Sequence, residues 1–121
     1  MFPSWVTFRK GKKNQFIYWE KRPTIEIRED EDIRETREHE FGHALRHELT
    51  FGKFGIGLKE SKLKPHYSEA ERYAKITYNP PNADEGWAQS YADFKTRPDF
   101  LKKHSPSLYR YWKNVVRLNK L

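Results

Sequence analysis

The chain contains a short motif whose residue types and spacing could bind a metal ion. It occupies residues 39–43 and consists of His39, Glu40, Phe41, Gly42 and His43, an HExxH pattern. On an α-helix, two histidines four residues apart lie on the same face, so both could bind one zinc ion at about 2.0–2.1 Å. Glu40 is rotated by roughly 100° around the axis, from where it could reach a metal-bound water without being a ligand.

A catalytic zinc site normally has three protein ligands and one open position, so a third ligand is required. The chain has no cysteine, which leaves histidine, aspartate or glutamate for this role. His47 continues the stripe of His39 and His43, but it lies about 6 Å further along the helix axis. His66 and His104 fall in turn-like contexts, and all three histidines are therefore the weaker candidates.

A carboxylate on a later helix is the stronger candidate. Glu85 lies 42 residues after His43, in the first turn of a predicted helix that could pack across the motif helix. The same residue could instead complete a capping box with Asn82. Asp84, one residue earlier, is the direct rival of Glu85.

The first part of the chain predicts a small sheet followed by the motif helix. Residues 5–8 and 16–19 are rich in β-branched and aromatic side chains, and the Gly and Asn between them predict a hairpin. Residues 24–28 alternate as a third strand, and residues 30–49 have a helical pattern. Gly42 inside that helix predicts the close approach of another backbone.

Helices are predicted for most of the remaining chain. They cover residues 68–76, a segment that begins at the capping residue Asn82, and an amphipathic segment that begins at Ser105 and Pro106. The predicted fold class is α+β, with a small antiparallel N-terminal sheet of about three strands packed on the motif helix and on further helices. With 121 residues, we expect a single domain over 1–121.

Charge is distributed unevenly along the chain. The net charge is +7, and residues 1–22 and 95–121 are strongly basic, whereas residues 23–94 carry ten positive and fifteen negative charges. Basic ends could contact nucleic acid, but solvated Lys and Arg are the more common explanation. Neither a signal peptide nor a transmembrane segment is visible, which predicts a cytoplasmic protein that does not contact membrane, with a fragment of a secreted toxin as the alternative.

The pairing of the HExxH motif with Glu85 resembles the gluzincin metallopeptidases. The segments 85–91, 100–101 and 106–109 are similar to the end of the anthrax-lethal-factor-type catalytic domain, and the small archaeal minigluzincins are also of this length. The resemblance covers roughly residues 33–110 and implies a zincin-like domain with His39, His43 and Glu85 as zinc ligands. It also implies that Tyr78, seven residues before Glu85, contributes to catalysis.

This chain departs from the resemblance at one position. Many gluzincins have a carboxylate four residues after the glutamate ligand, and this chain has Gln89 there. A neutral amide can orient a ligating histidine, but it does not raise the basicity of that ligand as a carboxylate does.

The predicted function is that of a zinc-dependent endopeptidase, a metalloprotease that hydrolyses a peptide or protein substrate. Glu40 would take a proton from the zinc-bound water as general base, and Tyr78 would donate a hydrogen bond to the oxyanion. An extended substrate would lie along a strand edge at residues 24–28.

Two alternatives to this function are open. The chain could be a zinc-containing protein associated with nucleic acid, which its basic ends would hold. It could also be a latent or regulatory zincin scaffold, in which the terminal residues 119–121 occupy its own cleft or that of a neighbouring molecule.

Overall fold

Three strands precede five helices along the chain. The computed structural model describes residues 2–19, 22–52, 58, 67–77 and 82–121. The strands are β1 (Thr7–Gly11), β2 (Gln15–Trp19) and β3 (Arg22–Arg28), and the helices are α1 (Arg34–Phe51), α2 (Tyr67–Thr77), α3 (Ala83–Thr96), α4 (Pro98–His104) and α5 (Pro106–Asn119). The predicted α+β class with a three-stranded sheet is confirmed.

The sheet is mixed, in the order β1-β3-β2. β1 pairs with β3 in parallel, and β2 pairs with β3 antiparallel. The predicted hairpin, in which β1 would pair with β2, is therefore wrong. The expected antiparallel arrangement holds only for β2 and β3. The chain does reverse between β1 and β2, but β3 lies between them because it buries Thr24, Ile25 and Ile27.

The motif helix α1 begins later than the sequence predicts. The acidic residues Glu29–Glu31 form a 3-10 turn, and α1 then runs from Arg34 to Phe51. It ends at Gly52, whose left-handed backbone (φ 57°) suits glycine. Phe41 and Leu45 are buried, as their four-residue spacing predicts.

Two glycines bring helix α3 into backbone contact with helices α1 and α2. A Cβ atom on Gly42 of α1 would lie 2.7 Å from the carbonyl oxygen of Ala88 in α3. A Cβ atom on Gly86 of α3 would overlap the carbonyl oxygen of Ala70 in α2. The close approach predicted at Gly42 is confirmed, and α3 is fixed on two sides with Glu85 in its first turn.

Aromatic side chains fill much of the core. Trp112 is fully buried, and its indole nitrogen donates to the Ser90 hydroxyl at 2.7 Å. Its ring packs edge-on against Trp87 and Tyr91 of α3. This packing holds α5 against the side of α3 and adds to the rigidity of the helix that carries Glu85.

Candidate metal centre

Three of the predicted ligand side chains meet between α1 and α3. The Nε2 atom of His39 lies 2.9 Å from Oε2 of Glu85, and the Nε2 atom of His43 lies 3.2 Å from the same oxygen. One donor atom from each of the three residues lies within 4.8 Å of the others. The arrangement therefore forms a candidate metal site, the one such group found among the residues that the structure describes.

The chemistry and spacing of these donors fit a small divalent cation. Two imidazoles and one carboxylate are a ligand set used by catalytic zinc sites. Two ligands of one tetrahedral zinc ion lie roughly 3.3 Å apart when each bond is about 2.0–2.1 Å. The separations of 2.9 and 3.2 Å between Oε2 of Glu85 and the two histidine nitrogens are close to that value.

Helix α3 directs Glu85 toward the two histidines and directs Asp84 elsewhere. Asn82 caps α3 by accepting a hydrogen bond from the Glu85 backbone N–H at 2.9 Å, as the sequence predicts. Asp84 is half-exposed and forms an ion pair with Arg46 at 2.9 Å. The structure thus brings Glu85, and not its rival, to the histidines.

The electrostatics of the site favour a positive charge between the three side chains. Burial opposes the charged form of His39, but its hydrogen bond to Glu85 and the nearby Glu40 charge outweigh burial and raise its pKa. Burial also opposes ionised Glu85, yet hydrogen bonds with both histidines lower the pKa of this carboxyl to about 2. A carboxylate paired with protonated imidazole is a site where a metal cation can replace the proton.

Glu40 lies where two pockets meet. A pocket of about 480 Å³ extends on the His39 side, and one of about 290 Å³ extends on the His43 side. Glu40 and Asn14 line both pockets. Burial raises the pKa of Glu40, which is the direction that general-base catalysis near neutral pH requires.

The two pockets have different linings. The larger is lined by Lys12, Lys13, Asn14, Arg28, Glu31, Glu35, Thr36, His39, Glu40 and Gln89. The smaller is lined by Asn14, Gln15, Phe16, Glu40, His43, Arg46, His47 and Glu85. The turn after β1 and the start of β2 therefore form the wall opposite the motif helix.

A hydrogen-bonded network lies behind His39, and the sequence analysis identified only its first member, Gln89. Gln89 Oε1 lies 2.8 Å from Nδ1 of His39, and Gln89 Nε2 donates to Asp93 at 2.9 Å and to Glu35 at 3.4 Å. Glu85, Gln89 and Asp93 are four residues apart on α3, so their spacing on one helix face could have indicated this network.

Asp93 is fully buried and is held by two further side chains. The Tyr73 hydroxyl of α2 donates to one carboxylate oxygen, and Arg97 Nε donates to the other at 2.8 Å. Burial, followed by the hydrogen bond to Asp93, raises the pKa of the Tyr73 hydroxyl above its ordinary value. The tyrosine therefore remains a hydrogen-bond donor throughout the ordinary pH range.

The other candidate site residues do not belong to the cluster of His39, His43 and Glu85, or they lie outside the described residues. His47 contacts the rings of Phe16 and Phe51 and lines the smaller pocket, but it is outside the three-residue cluster. His104 packs on Phe100 at the end of α4. Tyr78 and His66 lie outside the described residues.

The C-terminal residues lie against the end of α3. The backbone carbonyl of Leu121 accepts a hydrogen bond from Lys95 Nζ at 2.9 Å. None of residues 119–121 lines either pocket. Occupation of the cleft by a neighbouring molecule's tail stays a prediction.

Within the described ranges, no helix combines the length and the apolar character that crossing a membrane requires. No family model matches this chain, and neither a curated protein nor a solved structure matches it.

Proposed function

We propose that this protein is a zinc-dependent endopeptidase of the gluzincin type. The observation that carries the proposal is the meeting of an HExxH helix with Glu85, whose Oε2 atom lies 2.9 and 3.2 Å from the two histidine Nε2 atoms. The position of Glu40 between two pockets adds a base with access to a substrate.

His39, His43 and Glu85 would hold the zinc ion. When bound, zinc supplies a Lewis acid that polarises the scissile carbonyl and lowers the pKa of water toward about 7. The near-complete burial of His39 (8% exposed) restricts its side chain to one orientation and limits the access of bulk water. This ligand would thereby be held in place before a substrate arrives.

Glu40 would transfer the proton in this reaction. It would accept a proton from the attacking water and return that proton to the leaving amine as the peptide bond breaks. Its burial raises its pKa, which brings its proton affinity closer to that of the groups with which it exchanges protons. Tyr78 is the proposed donor to the oxyanion, on the basis of the resemblance alone.

The substrate would lie along β2, not along β3. The edge predicted at residues 24–28 is wrong because β3 is the central strand, with a partner on each side. β2 is an edge strand, and no described strand pairs with its outer side. Gln15 and Phe16 line the smaller pocket together with His43 and Glu85, so an extended peptide added to β2 would pass beside the metal site.

Cleavage of a mixed peptide library by the zinc-loaded protein tests this function, with products identified by mass spectrometry. We expect the wild type to cleave peptide bonds internally, and Glu40→Gln to lower kcat/KM by about 10²–10⁴-fold while zinc stays bound. Glu40→Gln that cleaves at the wild-type rate, or a zinc-loaded wild type that cleaves nothing, would contradict the proposal.

Glu38→Gln is a matched control for that substitution. Glu38 lies on the same helix and is 4% exposed, and burial raises its pKa, as it does for Glu40. It lines neither pocket. We therefore expect Glu38→Gln to retain peptide cleavage, which would separate the role of Glu40 from the general effect of removing a buried carboxyl.

A further inference from the structure

We propose that Asp93 is a positioning residue of the metal centre that acts through Gln89 to keep Nε2 of His39 directed at the metal. The inference rests on the proposed zinc function. Asp93 touches none of the three metal-binding side chains, and its described side-chain contacts are Gln89, Tyr73 and Arg97. Its effect on the metal must therefore pass through the Gln89 amide.

The hydrogen-bond partners of that amide determine which way it faces. A carboxylate can only accept hydrogen bonds, so Asp93 and Glu35 both require the NH₂ group of Gln89 to face them. The amide oxygen must then face His39, where it lies 2.8 Å from Nδ1. This oxygen can only accept, so the Nδ1 atom carries the proton and Nε2 is left to bind the metal.

The position of Asp93 is itself strongly constrained. It is fully buried and ion-paired with Arg97, while Tyr73 donates from a different helix. A buried carboxylate with such partners does not rotate away at low cost. A second role is open to the same residue, since these bonds also connect α2 to α3, and the two roles require an experiment that separates them.

The two roles can be separated because this chain has an amide at position 89 and a carboxylate at position 93, and these two groups can be exchanged. Gln89→Glu alone would place a second carboxylate within hydrogen-bond distance of Asp93, where neither ionised acid can donate. Asp93→Asn alone would remove the group that determines which way the Gln89 amide faces. The double variant exchanges amide and carboxylate between the two positions. The amide introduced at position 93 would then donate to the carboxylate introduced at position 89, and that carboxylate would accept from His39.

The experiment measures zinc affinity near neutral pH by competition with a chromophoric chelator. The four proteins are the wild type, Gln89→Glu, Asp93→Asn and the double variant, with Asp99→Asn, an exposed carboxyl on α4, as control. The thermal midpoint of each metal-free protein is measured in parallel. We expect Asp93→Asn to weaken zinc binding by roughly 10–100-fold and Asp99→Asn to match the wild type. The double variant should bind zinc more tightly than either single variant, because the carboxylate at position 89 then has a donor at position 93 and raises the basicity of His39.

If Asp93 only connects α2 to α3, the single substitutions should leave zinc affinity unchanged. Zinc affinity in both single variants equal to that of the wild type, or a double variant no better than the weaker single variant, would overturn the inference. The proposed function fails separately if the wild type binds no zinc. A further measurement needs no variant: NMR of the zinc-loaded wild type should show a hydrogen-bonded proton on Nδ1 of His39, and a deprotonated Nδ1 would contradict the inference.

Discussion

The two sides of the candidate metal-binding cluster are built in different ways. On the inner side, behind His39, the side chains of Gln89 (8% exposed) and Asp93 (0% exposed) are buried. Gln89 donates a hydrogen bond to Asp93, which also accepts one from Tyr73. In front, pockets of about 480 and 290 Å³ separate the cluster from the sheet edge. Under the proposed function, the inner side would fix the orientation of the metal ligands, whereas the outer side would leave room for a substrate.

The construction of each side follows from the elements that form it. The inner side lies between helices that Gly42 and Gly86 bring into backbone contact, so little space is left for alternative side-chain positions. The outer side is formed by the turn after β1 and by the edge strand β2. Substitutions on the two sides should therefore have different consequences.

The largest effect is expected where the two sides meet, at Glu85. Glu85→Ala removes one of the three proposed ligands, so zinc affinity should fall by more than the roughly 10–100-fold typical of residues that only support a ligand. Asp84→Ala is the matched control because Asp84 is adjacent and forms an exposed ion pair with Arg46. Isothermal titration of both variants with zinc makes the comparison, and equal losses of affinity would contradict the assignment of Glu85.

A second prediction tests the rigidity of the inner side. Gly→Ala in an open helix stabilises by about 1 kcal/mol, but a Cβ on Gly42 would lie 2.7 Å from the Ala88 carbonyl oxygen. We expect Gly42→Ala to lower the free energy of unfolding by about 1–3 kcal/mol, measured by urea denaturation. Thr50→Ala, at an exposed position of the same helix, should be neutral or slightly stabilising. A stabilised Gly42→Ala would show that α1 and α3 are not in tight contact.

A smaller effect is expected from pH in the metal-free protein. The folded pKa of His39 is raised, so its contribution to stability is complete below its ordinary value of 6.5 and is lost as pH rises through the raised value. The pKa of Glu85 is lowered to about 2, so its contribution is complete above 4.5 and is lost as pH falls toward 2. These two contributions are both complete between pH 4.5 and 6.5.

Urea denaturation in the presence of a chelator measures this dependence. We expect the free energy of unfolding to decrease as pH rises above 6.5, and His39→Gln to reduce that decrease. Zinc should reverse the trend, because it binds deprotonated His39 and its affinity rises with pH. A pH dependence that is identical in wild type and His39→Gln would contradict the role of this histidine.

Much of the site could be predicted because its signals are local in the sequence. The spacing of His39 and His43 defines a helix face, Gly42 marks a close contact, and Asn82 has the side chain that a helix cap requires. These features depend on neighbouring residues in one helix. The structure places all of them as the local chemistry predicts.

The remaining features depend on contacts between distant parts of the chain. Gly11 and Asn14 indicate a reversal of direction, but they carry no information on whether β3 enters between the two strands they connect. In the sequence alone, nothing distinguishes Asp93 from an ordinary exposed residue of a helix. Its role becomes visible only when Tyr73 of α2 and Arg97 are brought to it by tertiary packing.

We propose that His39, His43 and Glu85 bind one zinc ion between α1 and α3. Anomalous diffraction at the zinc absorption edge, from crystals of the zinc-loaded protein, would locate that ion. We expect one strong peak with Nε2 of both histidines and a carboxylate oxygen of Glu85 at about 2.0–2.2 Å. A protein that takes up no zinc, or a peak bound by other side chains, would contradict it.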